Sequence, residues 1–160
     1  MDIDISLGQT HFCVRVAGVF LHEGHVLLHN SDADDLWCLP GGRVQTMETT
    51  EQALRREMAE EVSTEVSVGQ LQWVVENFFE YAGRRWHEIG MYHLAEFTDP
   101  AWYDLTRAYR GLEGETLGLT YRWIPIAQVG ELNVVPRFLV QALPELPCGT
   151  RHIVNRELEG

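Results

Sequence analysis

The chain has 160 residues, 45% of them apolar, and twelve basic against twenty-four acidic side chains set a formal net charge of −12. These values predict one soluble domain over residues 11–160 behind an N-terminal arm of residues 1–10, with no apolar run long enough to span a bilayer. The acidity argues against a nucleic-acid polymer as partner, because its backbone would be repelled.

A small phosphorylated ligand bridged by a cation is easier to accommodate, and no membrane association is expected. The opening MDIDISLGQT lacks the basic start and apolar block of a secretory signal, so a cytoplasmic location is expected. Cys13, Cys38 and Cys148 are odd in number and in no CxxC pattern, and are expected to be reduced and mostly buried. A homodimer stays open.

Residues 12–29, FCVRVAGVFLHEGHVLLH, hold two apolar runs around HEGH and predict a hairpin turning at Gly24. His22, His25 and His29 have a spacing that would gather ligands only on a helix, so they are read as hairpin residues. NSDADDLWCLPGG is polar and turn-rich and predicts a loop, stopped by Pro40, Gly41 and Gly42. A helix follows, with Thr49 and Gln52 as a capping box and Leu54, Met58 and Val62 as its buried stripe. Residues 71–81 and 84–97 predict a second hairpin joined at Ala82 and Gly83. Residues 98–120 read as a long connection carrying one short helical turn. A short strand over 121–126 and a helix over 135–143, with Pro136 in its first turn, complete the pattern.

The helix poses the chemical question. Glu57, Glu60 and Glu61 fall within an arc of about 100°, at the edge of the buried stripe. Like charges at these spacings cost an isolated helix roughly 0.2–0.5 kcal/mol per pair. A hard divalent cation would reverse the sign, since Mg²⁺ prefers oxygen ligands and keeps positions for water and phosphate. A solvated acidic face is the alternative reading.

The flanking residues decide between them. From Gly42 the order is five residues, Glu48, seven residues, Arg56, Glu57, Met58, one residue, Glu60, Glu61, one residue, Ser63, Thr64. This closely resembles the Nudix box, preceded by the WCLPGG lead-in. Ser63 stands where the family has glycine, and Thr64 where it has an aliphatic residue. The box spans 23 residues, and the order of elements extends the likeness to most of the chain.

The resemblance implies an α/β fold, a Nudix-type α/β/α sandwich with a mixed β-sheet, the box helix on one face and the helix near 135–143 on the other. It implies Mg²⁺ or Mn²⁺ held by the carbonyl of Gly41 and the carboxylates of Glu57, Glu60 and Glu61. Gly42 and Glu48 would be structural, and Arg56 would hold loop and helix in register. The reaction implied is attack of an activated water on a diphosphate linkage in a nucleoside diphosphate joined to another moiety, with Glu60 or Glu57 taking the proton. A further glutamate from a later loop would be Glu113, Glu115 or Glu88.

Phe79, Tyr81 and Trp86 are candidates to stack on a base, and Arg84 and Arg85 to meet a phosphate. A non-catalytic nucleotide-sensing module of this fold is one alternative. An isomerase relative using a cysteine, for which only Cys38 is near enough, is another. The absence of proline between Pro40 and Pro100 argues against an ADP-ribose substrate by the same resemblance, while Tyr81 lies near the position of a tyrosine found in dinucleoside polyphosphate hydrolases.

Overall fold

The alternation that predicts the first hairpin organises the molecule. In the computed structural model, which describes residues 1–112 and 118–158, β1 (Asp4–Leu7) folds back antiparallel on β2 (Thr10–His22). β2 turns through Glu23 and Gly24, both at positive φ, into β3 (His25–Asn30). That is the turn geometry whose twist matches a two-residue hairpin.

The segment expected as a loop contributes two short strands. β4 (Trp37–Cys38) pairs with β3, and β5 (Gly41–Arg43) pairs with β2. Helix α1 (Thr50–Val62) follows directly. β6 (Val66–Tyr81) begins earlier than the aromatic run predicts, and turns through Ala82 and Gly83 into β7 (Arg84–Phe97). Residues 98–112 hold a 3-10 turn at Pro100–Tyr103 and β8 (Ala108–Arg110). β9 (Thr120–Pro125) pairs with β3 and β8.

The predicted helix over 135–143 shrinks to α2 (Leu139–Ala142). Val134 bridges to Trp37, and the Val135 N–H donates to the Trp37 carbonyl at 2.9 Å, so this stretch is drawn out as extended chain before helix can start. The Leu143 N–H still donates to the Leu139 carbonyl at 2.9 Å, but Pro144 has no N–H with which to continue the ladder. A further strand, β10 (Arg151–Glu157), was not foreseen and lies parallel to β6.

The strands form one mixed sheet in the order β10-β6-β7-β2-β3-β9-β8, with β2 and β7 parallel. Alternation along β2 feeds two cores. Val16 and Phe20 pack with Leu54, Met58 and Val62 of α1, while Ala17 and Val19 pack with Trp73, Tyr92 and the Leu139 and Leu143 side chains around α2. Leu54 and Met58 are fully buried, each contributing roughly 1.5–3 kcal/mol. The sheet is thus covered on both faces, the α/β sandwich. Among the described residues no helix is long and apolar enough to cross a membrane. All three cysteines are free, and only Cys13 is buried; Cys148 is exposed, because it lies in the turn-rich segment before β10.

Candidate active site at the glutamate helix

α1 is placed by its ends. The Thr49 hydroxyl accepts from the Gln52 N–H at 3.1 Å and the Gln52 side chain accepts from the Thr49 N–H at 2.9 Å, a complete capping box. Ser63 closes the helix in the left-handed region at φ 53°, its N–H donating to the Ala59 carbonyl. The glycine pair is placed by β2. A methyl group at Gly41 would strike the Val16 carbonyl, and one at Gly42 would strike the Glu57 carboxylate. Gly42 therefore leaves the room in which Glu57 stands.

Arg56 ties these parts together. Its Nε and Nη2 donate to the two Glu48 oxygens at 2.7 and 3.0 Å, and Nη2 also donates to the Arg43 carbonyl at 2.9 Å. Nη1 donates to Glu57 at 2.9 Å and to Glu60 at 3.3 Å. The hydrogen bonds from Arg56 hold the Glu48 carboxyl below its ordinary range, and those to Glu48 first, then Glu57, raise the Arg56 guanidinium. The repulsion expected between Glu57 and Glu60 is thus offset by a cation on the same helix, Arg56, one and four residues before them.

Glu61 faces elsewhere: it is buried, its Oε2 accepting from the Tyr121 hydroxyl at 2.8 Å, while its backbone carbonyl accepts from the Leu112 N–H. Among the described residues no three His, Cys, Asp or Glu side chains gather closely enough to hold a metal ion. Two carboxylates converge on one Arg56 nitrogen beside the space at Gly42, and both offer hard oxygens. That donor set fits Mg²⁺ taking its remaining ligands from water and phosphate. Glu113 and Glu115 lie outside the described residues.

A cavity of about 620 Å³ opens on the α2 side of the sheet. Phe79, Tyr81 and Glu88 line it, whereas Trp86, Arg84 and Arg85 do not. Trp86 stacks on His11, Arg84 hydrogen-bonds His11, and Arg85 is exposed at the hairpin tip. Tyr81 donates to Asp34 at 3.0 Å at the cavity rim. None of the three box glutamates lines this space. One of them, Glu61, is joined to it through Tyr121, which bonds Glu61 and packs its ring 5.2 Å from His29, a lining residue.

Three lining residues went unforeseen: Arg15, His29 as a cavity group, and Asn77. Arg15 carries a readable signal, a lone charge inside the apolar run FCVRVAGVF. Its Nη2 donates to the Leu39 carbonyl at 3.1 Å. Burial opposes its charge, yet nearby acids, Glu88 foremost, leave its pKa raised overall. His29 is driven the other way, to about 4, by burial and then by the Arg15 charge, so it is neutral near pH 7. His22 and His25 do not join it: His22 packs on Tyr103, and His25 bonds the Glu23 carbonyl.

Comparison with known proteins agrees with this architecture. The family model for the NUDIX domain matches residues 11–145. The CTP pyrophosphohydrolase of Escherichia coli (strain K12) is 35% identical over 86 residues, which cover 51% of this chain and 62% of that protein. The solution structure of the E. coli ORF135 protein superposes with a TM-score of 0.59 at 24% identity, covering 87% of this chain and 93% of that one. The Mutator MutT protein from Bacillus halodurans gives 0.61 at 17% identity, with 88% and 89% covered. With the domain match spanning most of its length and Glu48, Glu57 and Glu60 of the box assembled around Arg56, this chain belongs to the Nudix family.

Proposed function

We propose that the protein is a metal-dependent pyrophosphohydrolase that cleaves a diphosphate linkage in a nucleoside diphosphate joined to another moiety. The observation that carries this reading is the convergence of Glu57 and Glu60 on one Arg56 nitrogen, beside a glycine that leaves the carboxylate its space. Glu57 and Glu60 are the groups that would hold Mg²⁺ or Mn²⁺, and the family resemblance adds the Gly41 carbonyl and Glu61, the latter turned toward Tyr121 in the fold. When bound, the cation supplies charge neutralisation of the phosphate oxygens and a lowered pKa for the attacking water.

The chain's own residues do the rest. Arg56 can release Glu57 and Glu60 from Nη1 while keeping Glu48 through Nε and Nη2, so the loop and helix stay in register as the carboxylates turn to a new partner. Glu57 and Glu60 are the candidates to take the proton from water, and Glu60, half exposed, can do so without first being uncovered. The cavity on the α2 side offers room for the nucleoside.

The name of the E. coli relative puts nucleoside triphosphates, CTP first, at the head of a substrate panel that also holds nucleotide sugars, dinucleoside polyphosphates and oxidised nucleotides. The test is product release across that panel with and without Mg²⁺. Metal-dependent release of a nucleoside monophosphate supports the proposal. Nucleotide binding without product at any metal concentration would instead identify a nucleotide-sensing module.

A further inference from the structure

Glu88 is 7% exposed, faces the cavity and makes no ion pair among the described residues. Its two oxygens have only long contacts, Oε2 with the Cys13 thiol at 3.7 Å and Oε1 with the Asn77 amide at 3.4 Å. A buried carboxylate so weakly partnered is costly unless something else completes it. The site is nonetheless built to hold it in place. Asn155 on β10 donates to the Asn77 oxygen at 2.9 Å, which turns the Asn77 amide nitrogen toward Glu88.

Arg15 lines the same cavity from the neighbouring strand, two residues beyond the Cys13 that pairs with Glu88. One of its N–H groups is taken by the Leu39 carbonyl, leaving others for a ligand. The cavity thus presents an acceptor-only group beside a donor-only group, with the Phe79, Tyr81 and Tyr92 rings among its walls. A planar ligand that fits this pair shows an amine donor next to acceptors on one edge, and cytosine offers the Arg15 fork two of them, N3 and O2, where adenine offers one.

We infer that Glu88 and Arg15 are the specificity-determining residues of a cytosine site, Glu88 accepting from the exocyclic N4 amine and Arg15 donating to N3 and O2 of the ring. The inference rests on the nucleotide-hydrolase reading and names its substrate. A carboxylate accepting from the cytosine amine is an established pairing, and uracil, with a carbonyl at that position, meets Glu88 with a second acceptor. Sites that hydrogen-bond a polar group reject analogues lacking it more strongly than sites that only enclose a shape.

The test pairs CTP with UTP by kcat/KM at saturating Mg²⁺, and CMP with UMP, GMP and AMP by calorimetric titration of the same protein, which needs no turnover. The expected result is preference for the cytosine member by about ten- to hundredfold in both measurements. Glu88→Gln, whose amide can donate to the uracil carbonyl, should cut both ratios to about one while thermal unfolding stays near wild type. Equal binding of CMP and UMP by the wild-type protein, no CMP binding, or tighter binding of GMP or AMP overturns the inference without any variant. An inactive protein that still prefers CMP keeps the base site and rejects hydrolysis. An active protein indifferent to the amine does the reverse.

Discussion

Arg56 and Glu48 form a two-point pair, Nε to Oε1 at 2.7 Å and Nη2 to Oε2 at 3.0 Å, in which the second Glu48 oxygen also accepts from the Gln45 N–H at 2.9 Å. The pair joins the middle of α1 to the loop that leads into it. Because Arg56 also holds the Arg43 carbonyl and the Glu57 carboxylate, one side chain fixes the glycine loop, the helix and a candidate metal ligand together.

Arg56→Lys should therefore be a disruptive change, since an ammonium cannot span two carboxylate oxygens in one plane. Loss of charge-assisted hydrogen bonds at this half-buried site predicts destabilisation of about 1–3 kcal/mol, read as a lower urea midpoint with unchanged slope. The Glu48 carboxyl is depressed in the fold, so its contribution is present above the ordinary carboxylate pKa and disappears as pH falls through the depressed value. Glu48→Gln should remove that acid sensitivity, and an unaltered acid limb would show the pair to be energetically idle.

Glu57→Gln should lower turnover by several orders of magnitude with the fold retained. Removal of a repelling charge would by itself stabilise the protein, but here Glu57 is paired with Arg56, so a small loss of stability is expected instead. Gly42→Ala tests the same carboxylate from the other side. The added methyl must push the flexible Glu57 side chain away, so activity should fall far more than the melting temperature does. Wild-type turnover in either variant at saturating Mg²⁺ would reduce Glu57 to a structural charge.

Ser63→Gly replaces a side chain held at φ 53° with the residue that adopts this conformation freely. Relief of roughly 1–2 kcal/mol of left-handed strain, less roughly 0.4–1 kcal/mol from the looser unfolded chain, predicts a net gain on the order of 0.5–1 kcal/mol. Equilibrium unfolding measures it, and a loss would mean that the serine hydroxyl compensates its own strain.

His29 supplies a pH test. Its folded pKa of about 4 lies below the ordinary value of 6.5, so the neutral form is the one the fold prefers. The stability it contributes is complete above 6.5 and is lost as pH falls toward 4, with a slope of at most about 1.4 kcal/mol per pH unit. His29→Gln should flatten the unfolding free energy over that window. A curve unchanged from wild type would show that His29 titrates normally.

Local chemistry accounts for what could be read early. The capping box at Thr49 and Gln52, the stripe of Leu54, Met58 and Val62, and the turns at Gly24 and Gly83 are each decided within a few residues, and each stands where the spacing predicts it. The family likeness rests on the same short range, because box spacing is a property of one loop and one helix. Long-range pairing was illegible for the opposite reason. RHIVNRE carries no strand alternation of its own and becomes β10 only because β6 offers it an open edge. Val135 falls within the helical spacing but is tied to Trp37, far away in the chain, so the helix starts only after the turn at 136–138.

The site divides along the same line. The sequence by itself determined which carboxylates stand on one helix and that glycine must precede them, since both follow from spacing and backbone freedom. Only the tertiary structure decided that Arg56 also reaches Glu48 and the Arg43 carbonyl, that Glu61 turns inward to Tyr121, and that Glu88 and Arg15 line one cavity from two parallel strands. Side chains brought together by sheet register are neighbours through pairing distances of tens of residues, and no local pattern records which strand lies beside which.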